Sequence, residues 1–501
     1  MGLDYQEEEL TLLITLLFDW IEESQPASLY YGNVCLRAAM ERYFYFDAIV
    51  QPVKLAPLLD VCKEWRSKNK DLKQIALYDR YHALSNQRSL SKKIYGRVIP
   101  WLRILGDYYN HQRSMRKPSS SMDKVVNKHK IGFFVINERF VHFFRDIEQQ
   151  LGHEKKIYFS SHPDSVMVGG DAQKESVFAS DKRFNISFSS ISLSPKHPLF
   201  PVYFRMCFFY QRINAVLQHW LPDVLLFAEG TSHYDELAAQ SASQMNIPTV
   251  RLQSGRAAIL HSGYRNMSFD TMISWGDGFI DRYKSVSPKV NHIACGSPVM
   301  DEMVNFKPIK VKCDNKNLVI FTQPVCTGFV SEQDYLILVM LAEHFVKYTD
   351  NINILIRMHP ADNNPAFHDF ADRHTTRVKL VNSPFYSLAD VMGSAESAIS
   401  FASTTLSEAA ACGVIPIILK TSEQDGFFPF PEKYGAAIVV QSLDSAIKKI
   451  NEVMQYPDRF REIRINMRRF SEQFFGPRDG KSKERIIRLI REIANKGVPS
   501  G

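Results

Sequence analysis

The chain has 501 residues, 45% of them hydrophobic and 23% charged, with a formal net charge of +7. That length exceeds one ordinary core, so two or three domains of a soluble globular protein are expected. No apolar run reaches the roughly 18 residues that span a bilayer, and the seven cysteines, scattered with no C-x-x-C pair, argue against a disulfide framework and against a zinc site.

Residues 1–120 read as a helical N-terminal region for membrane, partner or acceptor contact. Leu10, Leu13, Ile14, Leu17 and Phe18 recur at helical spacing. The stretch Leu10 to Trp20 is apolar but short and flanked by acids. It has no basic segment before it and no small-residue cleavage site after it, so no signal peptide is expected. With the cysteine pattern, this points to a cytoplasmic protein. From Arg88 to Lys130 eleven Lys and Arg stand against two acids, Asp107 and Asp123. Tyr95, Trp101, Tyr108 and Tyr109 interleave with them. Such a segment is either a solvated helix face or a contact for an anionic surface: inner-leaflet lipid or an acidic glycan. Nucleic acid is not expected, because no recognition motif accompanies the charge. A second basic stretch runs from Arg459 to Lys496. Lys117-Pro118-Ser119-Ser120-Ser121 reads as a linker.

Beyond the linker the pattern changes to strands alternating with helices. Ile131–Ile136 is a predicted strand and Phe140–Leu151 an amphipathic helix. A strand at Asp223–Ala228 ends in Glu229-Gly230, followed by a helix over Tyr234–Gln244 and a strand over Ile247–Leu252. A second series opens at Leu318–Phe321, ends in Thr322-Gln323-Pro324, and continues with a helix over Gln333–Thr349. Strands follow at Ile352–Arg357, Lys379–Val381, Ala398–Ser400 and Val414–Leu419, with helices over Ser387–Gly393 and Thr405–Cys412. This alternation predicts parallel sheets with sites at their carboxyl ends. The expected fold class is α/β, with two Rossmann-like domains facing across a cleft: 129–300 on the acceptor side and 316–475 on the donor side. Residues 476–501 form a C-terminal helix and tail. The helices over Pro457–Phe474 and Lys483–Ala494 are amphipathic enough to pack back across both domains.

The candidate chemistry sits at strand ends. Pro360 forces an extended conformation on His359, ending its strand and aiming the imidazole at the sheet edge; His-Pro also occurs at 162 and 197, where nothing else supports a site. Ser403, Thr404 and Thr405 open a helix, whose free N–H groups and dipole attract phosphate. A histidine beside them can supply a proton or a charge-assisted bond. Thr405-Leu406-Ser407-Glu408 also fits a capping box, in which Glu408 would only reach back to its own helix start. The other reading has Glu408 accept from ribose hydroxyls. Gln323 is placed to donate to a phosphate or read a base, or simply to end a strand. On the first domain Glu229 is a candidate general base, or a nucleophile if the reaction passes through a covalent intermediate, or a mere cap for the following helix. Asp235, one turn on, is the rival carboxylate. Trp275-Gly276-Asp277 and Gly296–Asp301 read as architecture around the hinge.

With these residues in place the chain resembles the GT-B glycosyltransferases of bacterial capsule and lipopolysaccharide synthesis that use CMP-activated ulosonic acids, the β-Kdo transferases and sialyltransferase-like enzymes. The matching residues are Glu229-Gly230, His359-Pro360 and Ser403-Thr404-Thr405, and Gln323-Pro324 looks like the Gln-Pro motif of Kdo transferases. The resemblance covers roughly residues 129–475. It implies that Glu229 is the catalytic carboxylate, that His359 stabilises the departing CMP phosphate, and that the hydroxyl cluster holds that phosphate. It implies no metal and no cofactor, a nucleotide-sugar donor and a glycan or glycolipid acceptor; the basic stretches add the expectation of a peripheral position at the inner face of the plasma membrane. Ala228, where polysialyltransferases carry a second acid, departs from that branch. Trp275-Gly276 and Gly296-Ser297-Pro298 with Asp301 also resemble CDP-glycerol-type polyol-phosphate transferases. A UDP-sugar 2-epimerase and a non-enzymatic scaffold of capsule assembly are the remaining alternatives.

Overall fold

The structure, a computed structural model, describes residues 3–86, 129–136, 138–152, 155–160, 173–176, 191–255, 261–303, 309, 315–325, 330–360, 362–383, 385–401, 403–420 and 430–497. The linker at 117–121 lies outside the described residues, as does the basic, aromatic segment from 88 except His129 and Lys130. Among the described residues no helix is long and apolar enough to cross a membrane.

Of the N-terminal region the structure describes residues 3–86, and these are mostly helical. The helix Leu3–Ser24 buries Leu10, Leu13, Ile14, Leu17 and Phe18 along one face. A short antiparallel hairpin, β1 (Tyr30–Tyr31) and β2 (Val34–Cys35), leads into the helix Arg37–Val50. This region is docked on the first α/β unit. The Tyr203 hydroxyl donates to Tyr30 O at 2.7 Å, and Arg42 forms a fully buried ion pair with Glu236.

Two parallel sheets follow. The first holds β3 (Lys130–Val135), β4 (Lys155–Ser160), β5 (Gln173–Ser176), β6 (Val224–Ala228), β7 (Thr249–Leu252), β8 (Thr271–Ser274) and β9 (Asn291–Ala294), in the order β5-β4-β3-β6-β7-β8-β9. The second holds β10 (Lys316–Phe321), β11 (Ile352–Arg357), β12 (Val378–Leu380), β13 (Ser397–Ser400), β14 (Ile415–Leu419) and β15 (Ile438–Val440), in the order β12-β11-β10-β13-β14-β15. All pairings in both are parallel. Strands β6 and β14 are buried at every residue, as sheets covered on both faces require. Counted from its own first strand, each sheet runs 3-2-1-4-5-6, with one extra strand on the first. This is the Rossmann order, which opens a crevice where the strand order reverses. Those points lie between β3 and β6, and between β10 and β13.

The C-terminal helices tie the units together. The helix Arg461–Phe475 packs on the second unit, where Ser471 Oγ donates to Ala411 O at 3.3 Å. It also packs on the first, where Phe474 lies edge-on to Phe279 at 5.4 Å. Close approach dictates the Trp275-Gly276-Asp277-Gly278 sequence. A Cβ on Gly276 would lie 2.7 Å from the Phe474 carbonyl carbon, and one on Gly278 2.7 Å from the Phe474 ring. The helix Ser482–Gly497 then returns to the first sheet, burying Ile486, Ile487 and Ile490 with Ile131, Phe133 and Val135. Asp301 starts that helix, accepting the N–H groups of Ser482 at 3.0 Å and Lys483 at 2.8 Å. The Trp275 and Asp301 turns are therefore architecture. Two Rossmann sheets in tandem, joined by C-terminal helices that cross back to the first, form a GT-B architecture.

Candidate functional site

The donor-side candidates share one sheet edge. Gln323 follows β10, His359 follows β11, and Ser403 follows β13, so all three lie at the carboxyl ends of adjacent strands around the switch point. The Ser400 hydroxyl donates to Phe321 O at 2.7 Å and holds the ends of β13 and β10 together. Gln323 is 7% exposed, and among the described residues its amide makes no hydrogen bond.

The His359 turn is held from below. The backbone N–H of His359 donates to Thr322 Oγ1 at 3.1 Å, and its carbonyl accepts from the Asp362 N–H at 2.8 Å. Asp362 accepts in turn from the Thr322 hydroxyl and, at 3.0 Å, from the Tyr335 hydroxyl. His359 itself is exposed at the strand end. Arg357 is fixed by Nη1 bonds to Val381 O at 3.1 Å and Tyr386 O at 3.0 Å. Burial lowers its pKa, and the nearby Glu408 carboxylate opposes that.

The hydroxyl cluster caps a helix, but not through the box that the sequence suggests. Ser403 is the N-cap of the helix Thr404–Cys412, its Oγ accepting from Thr405 N at 3.3 Å and lying 2.5 Å from Thr405 Oγ1. Thr405 is thus inside the helix, Glu408 lies beyond its first turn, and the Thr405–Glu408 capping box does not form. Thr404 is exposed at the helix start. Glu408 is half-buried, within electrostatic reach of Arg357.

On the first sheet Glu229 is set at the switch point by an unusual turn. Its N–H donates to Leu252 O at 3.0 Å, and the Gly230 N–H folds back to Ala228 O at 2.7 Å. That is a γ-turn centred on Glu229, which has φ +63°. A left-handed conformation costs a non-glycine residue about 1–2 kcal/mol, and such strain concentrates at functional sites. Glu229 is not the cap of the next helix. Ser232 and Asp235 form that capping box, Asp235 accepting from Ser232 N at 3.0 Å and Ser232 Oγ at 2.6 Å. Burial pushes the Asp235 carboxyl up to about 6, against the Ser232 bonds and the charges of Arg42 and Arg251. Asp235 is 2% exposed and committed to its helix, which separates it from Glu229.

Sequence reasoning passed over Thr322, Asp362, Tyr335, Arg251 and His261. One signal existed for Arg251: a lone charge in the otherwise uncharged strand β7. It is 1% exposed and lies over the Tyr264 ring at 4.6 Å. A cavity of about 310 Å³ lined by Gln150, Glu484, Ile487, Arg488 and Arg491 lies among the outer helices and touches none of these residues.

No family model matches the sequence, and no curated protein matches it. Solved structures do. The chain is similar to a Listeria monocytogenes protein described as a UDP-N-acetylglucosamine 2-epimerase, with 12% identity over 74% of this chain and 98% of that one, at a TM-score of 0.49. It is similar to the wall teichoic acid polymerase TagF, with 11% identity over 80% and 98% of the two chains and a TM-score of 0.49. It is similar to MurG of Acinetobacter baumannii, with 12% identity over 73% and 100% and a TM-score of 0.46.

Proposed function

We propose that this chain is a GT-B glycosyltransferase that moves a sugar from a nucleotide-activated donor to a glycan acceptor. The observation that carries the reading is the convergence of Gln323, His359 and the Ser403–Thr405 helix start on three adjacent strand ends. Helix N–H groups and hydroxyls there would hold the donor phosphate, and Glu408 would accept from the ribose. The acceptor hydroxyl oxygen forms a bond to the anomeric carbon while the bond from that carbon to the phosphate oxygen breaks. The electron pair leaves with the nucleotide, steadied by His359, and the acceptor proton passes to Glu229 as general base.

The donor we propose is CMP-linked Kdo or a related sialic-type acid, and the product a bacterial surface polysaccharide. This rests on the likeness of Glu229-Gly230, Gln323-Pro324, His359-Pro360 and Ser403-Thr404-Thr405 to those transferases. A peripheral membrane position rests on the basic segment from 88 to 130.

The test is nucleotide release from CMP-Kdo, CMP-sialic acid, CDP-glycerol and UDP-N-acetylglucosamine, with wild type, His359→Ala and Glu229→Ala. Release from the CMP-ulosonic acids, lost in both variants, is the expected result. Release only from CDP-glycerol would make the chain a polyol-phosphate transferase, and turnover only of the UDP-sugar an epimerase. No turnover of any donor would leave a scaffold.

A further inference from the structure

The loop after β7 carries a histidine that the reaction above does not use. His261 Nδ1 accepts the Gly263 N–H at 3.0 Å. A neutral imidazole has one N–H, so this bond places the proton on Nε2. Among the described residues nothing accepts from Nε2, and the ring is half-buried. The ring lies flat on Tyr45, centroids 4.7 Å apart at 11°, and edge-on to Phe46 at 5.5 Å. Tyr45 and Phe46 belong to the helix Arg37–Val50. A loop of the first sheet and a helix of the N-terminal region therefore build one ring cage.

This cage adjoins the Glu229 turn. Gly263 is pressed against Thr231, where a Cβ would meet the Thr231 carbonyl oxygen at 2.8 Å. Gly230 is pressed against Arg251, where a Cβ would meet Cδ at 3.1 Å. Arg251 has electrostatic contact with both Glu229 and His261. Arg42 is compensated by Glu236. Among the described residues Arg251 has no carboxylate in hydrogen-bond contact: its Nη1 meets Met267 Sδ and its Nε has no partner. Burial, then Arg251 and Arg42, push the His261 pKa down to about 3, so the ring stays a neutral donor in a positive field.

We propose that His261, framed by Tyr45 and Phe46, is an acceptor-binding donor beside Glu229, taking a carboxylate or phosphate oxygen of an acidic glycan. This deepens the transferase reading and rests on it. A neutral N–H in the field of buried arginines favours an oxyanion over a hydroxyl. With Nδ1 engaged and Nε2 protonated, His261 has no lone pair with which to act as a base, so its role is binding. The N-terminal helical region thereby becomes a wall of the acceptor site.

The experiment uses the full chain labelled with 15N-histidine, the His261 signal being assigned by its loss in His261→Gln. The probes are a hyaluronan tetrasaccharide for carboxylate, inorganic phosphate, and chitotetraose as the neutral sugar. The expected result is an Nε2–H tautomer from pH 5 to 8, moved by the first probe or the second but not by chitotetraose. His261→Ala then weakens binding of the responding probe at least tenfold. His261→Gln, whose amide N–H can replace Nε2–H, stays within about threefold of wild type. A proton on Nδ1, titration near pH 6.5, a signal that none of the probes moves, or one that chitotetraose moves equally would each overturn the proposal. Failure of the transferase reading shows elsewhere, as absent nucleotide turnover in a wild-type protein whose His261 still responds.

Discussion

Thr322 Oγ1 accepts the backbone N–H of His359 at 3.1 Å and donates onward to Asp362. The residue after β10 therefore fixes the turn after β11. Thr322→Val keeps the shape and removes both bonds. Each is worth about 1 kcal/mol, so CMP affinity should fall by up to about thirtyfold in a calorimetric titration while the fold survives. Unchanged affinity would mean that the strand ladder alone positions His359.

Glu229 should trade stability for chemistry. Glycine adopts φ +63° without the steric cost, so Glu229→Gly should match or exceed wild-type stability in urea, by up to about 1 kcal/mol. Transfer should fall by a factor of about 10²–10⁴, the usual worth of a general base. A variant that is both destabilised and active would place Glu229 in the framework.

The Arg42–Glu236 pair, buried on both sides, fastens the N-terminal helices to the first sheet. Arg42→Met strands the Glu236 carboxylate, and losing one partner of such a pair costs about 3–5 kcal/mol. The double variant Arg42→Met with Glu236→Leu should regain most of that loss. Equal urea midpoints for the single and double variants would refute the coupling.

Gly278 sets how closely the helix Arg461–Phe475 approaches the first unit. Gly278→Ala places a methyl 2.7 Å from a ring carbon of Phe474, which overpacking costs at about 1–3 kcal/mol. Differential scanning calorimetry should show a lower melting temperature, and Phe474→Leu added to Gly278→Ala should recover part of it.

His261 predicts a signed pH dependence. Its pKa is depressed from 6.5 to about 3 in the folded protein. Between those values the unfolded chain binds a proton that the native state does not, so stability falls as pH drops through this window. His261→Gln should flatten the curve there by up to one proton. An unchanged slope would show that the ring ionises in the native state.

Much of this arrangement was legible in the chain. Strands β10, β11 and β13 are apolar runs ending in polar residues, and their candidate residues lie where the pattern puts them. The edge strands of the first sheet were not legible: β5 is Gln-Lys-Glu-Ser and β9 Asn-His-Ile-Ala, because an edge needs no continuous apolar run. The true cap of the Thr404–Cys412 helix was missed because Ser403 and Thr405 both precede plausible first turns, and only backbone geometry separates them. His261 and Arg251 depend on Tyr45 and Arg42, some two hundred residues away, and no local spacing reports such a contact. Conversely, the place of Glu229 at a strand end was legible, yet its left-handed turn was invisible, since nothing in Ala228-Glu229-Gly230 demands a positive φ at the acid.

The most direct test of the nucleotide site is the melting temperature of the purified chain with CMP, CDP, UDP and GDP, each without metal, in wild type and His359→Ala. A nucleotide that binds only the native state must raise it, by about 2.7 kcal/mol of stabilisation at a hundredfold excess over Kd. The account predicts a rise selective for CMP that His359→Ala abolishes. No rise with any nucleotide, or a rise that survives the substitution, would contradict it.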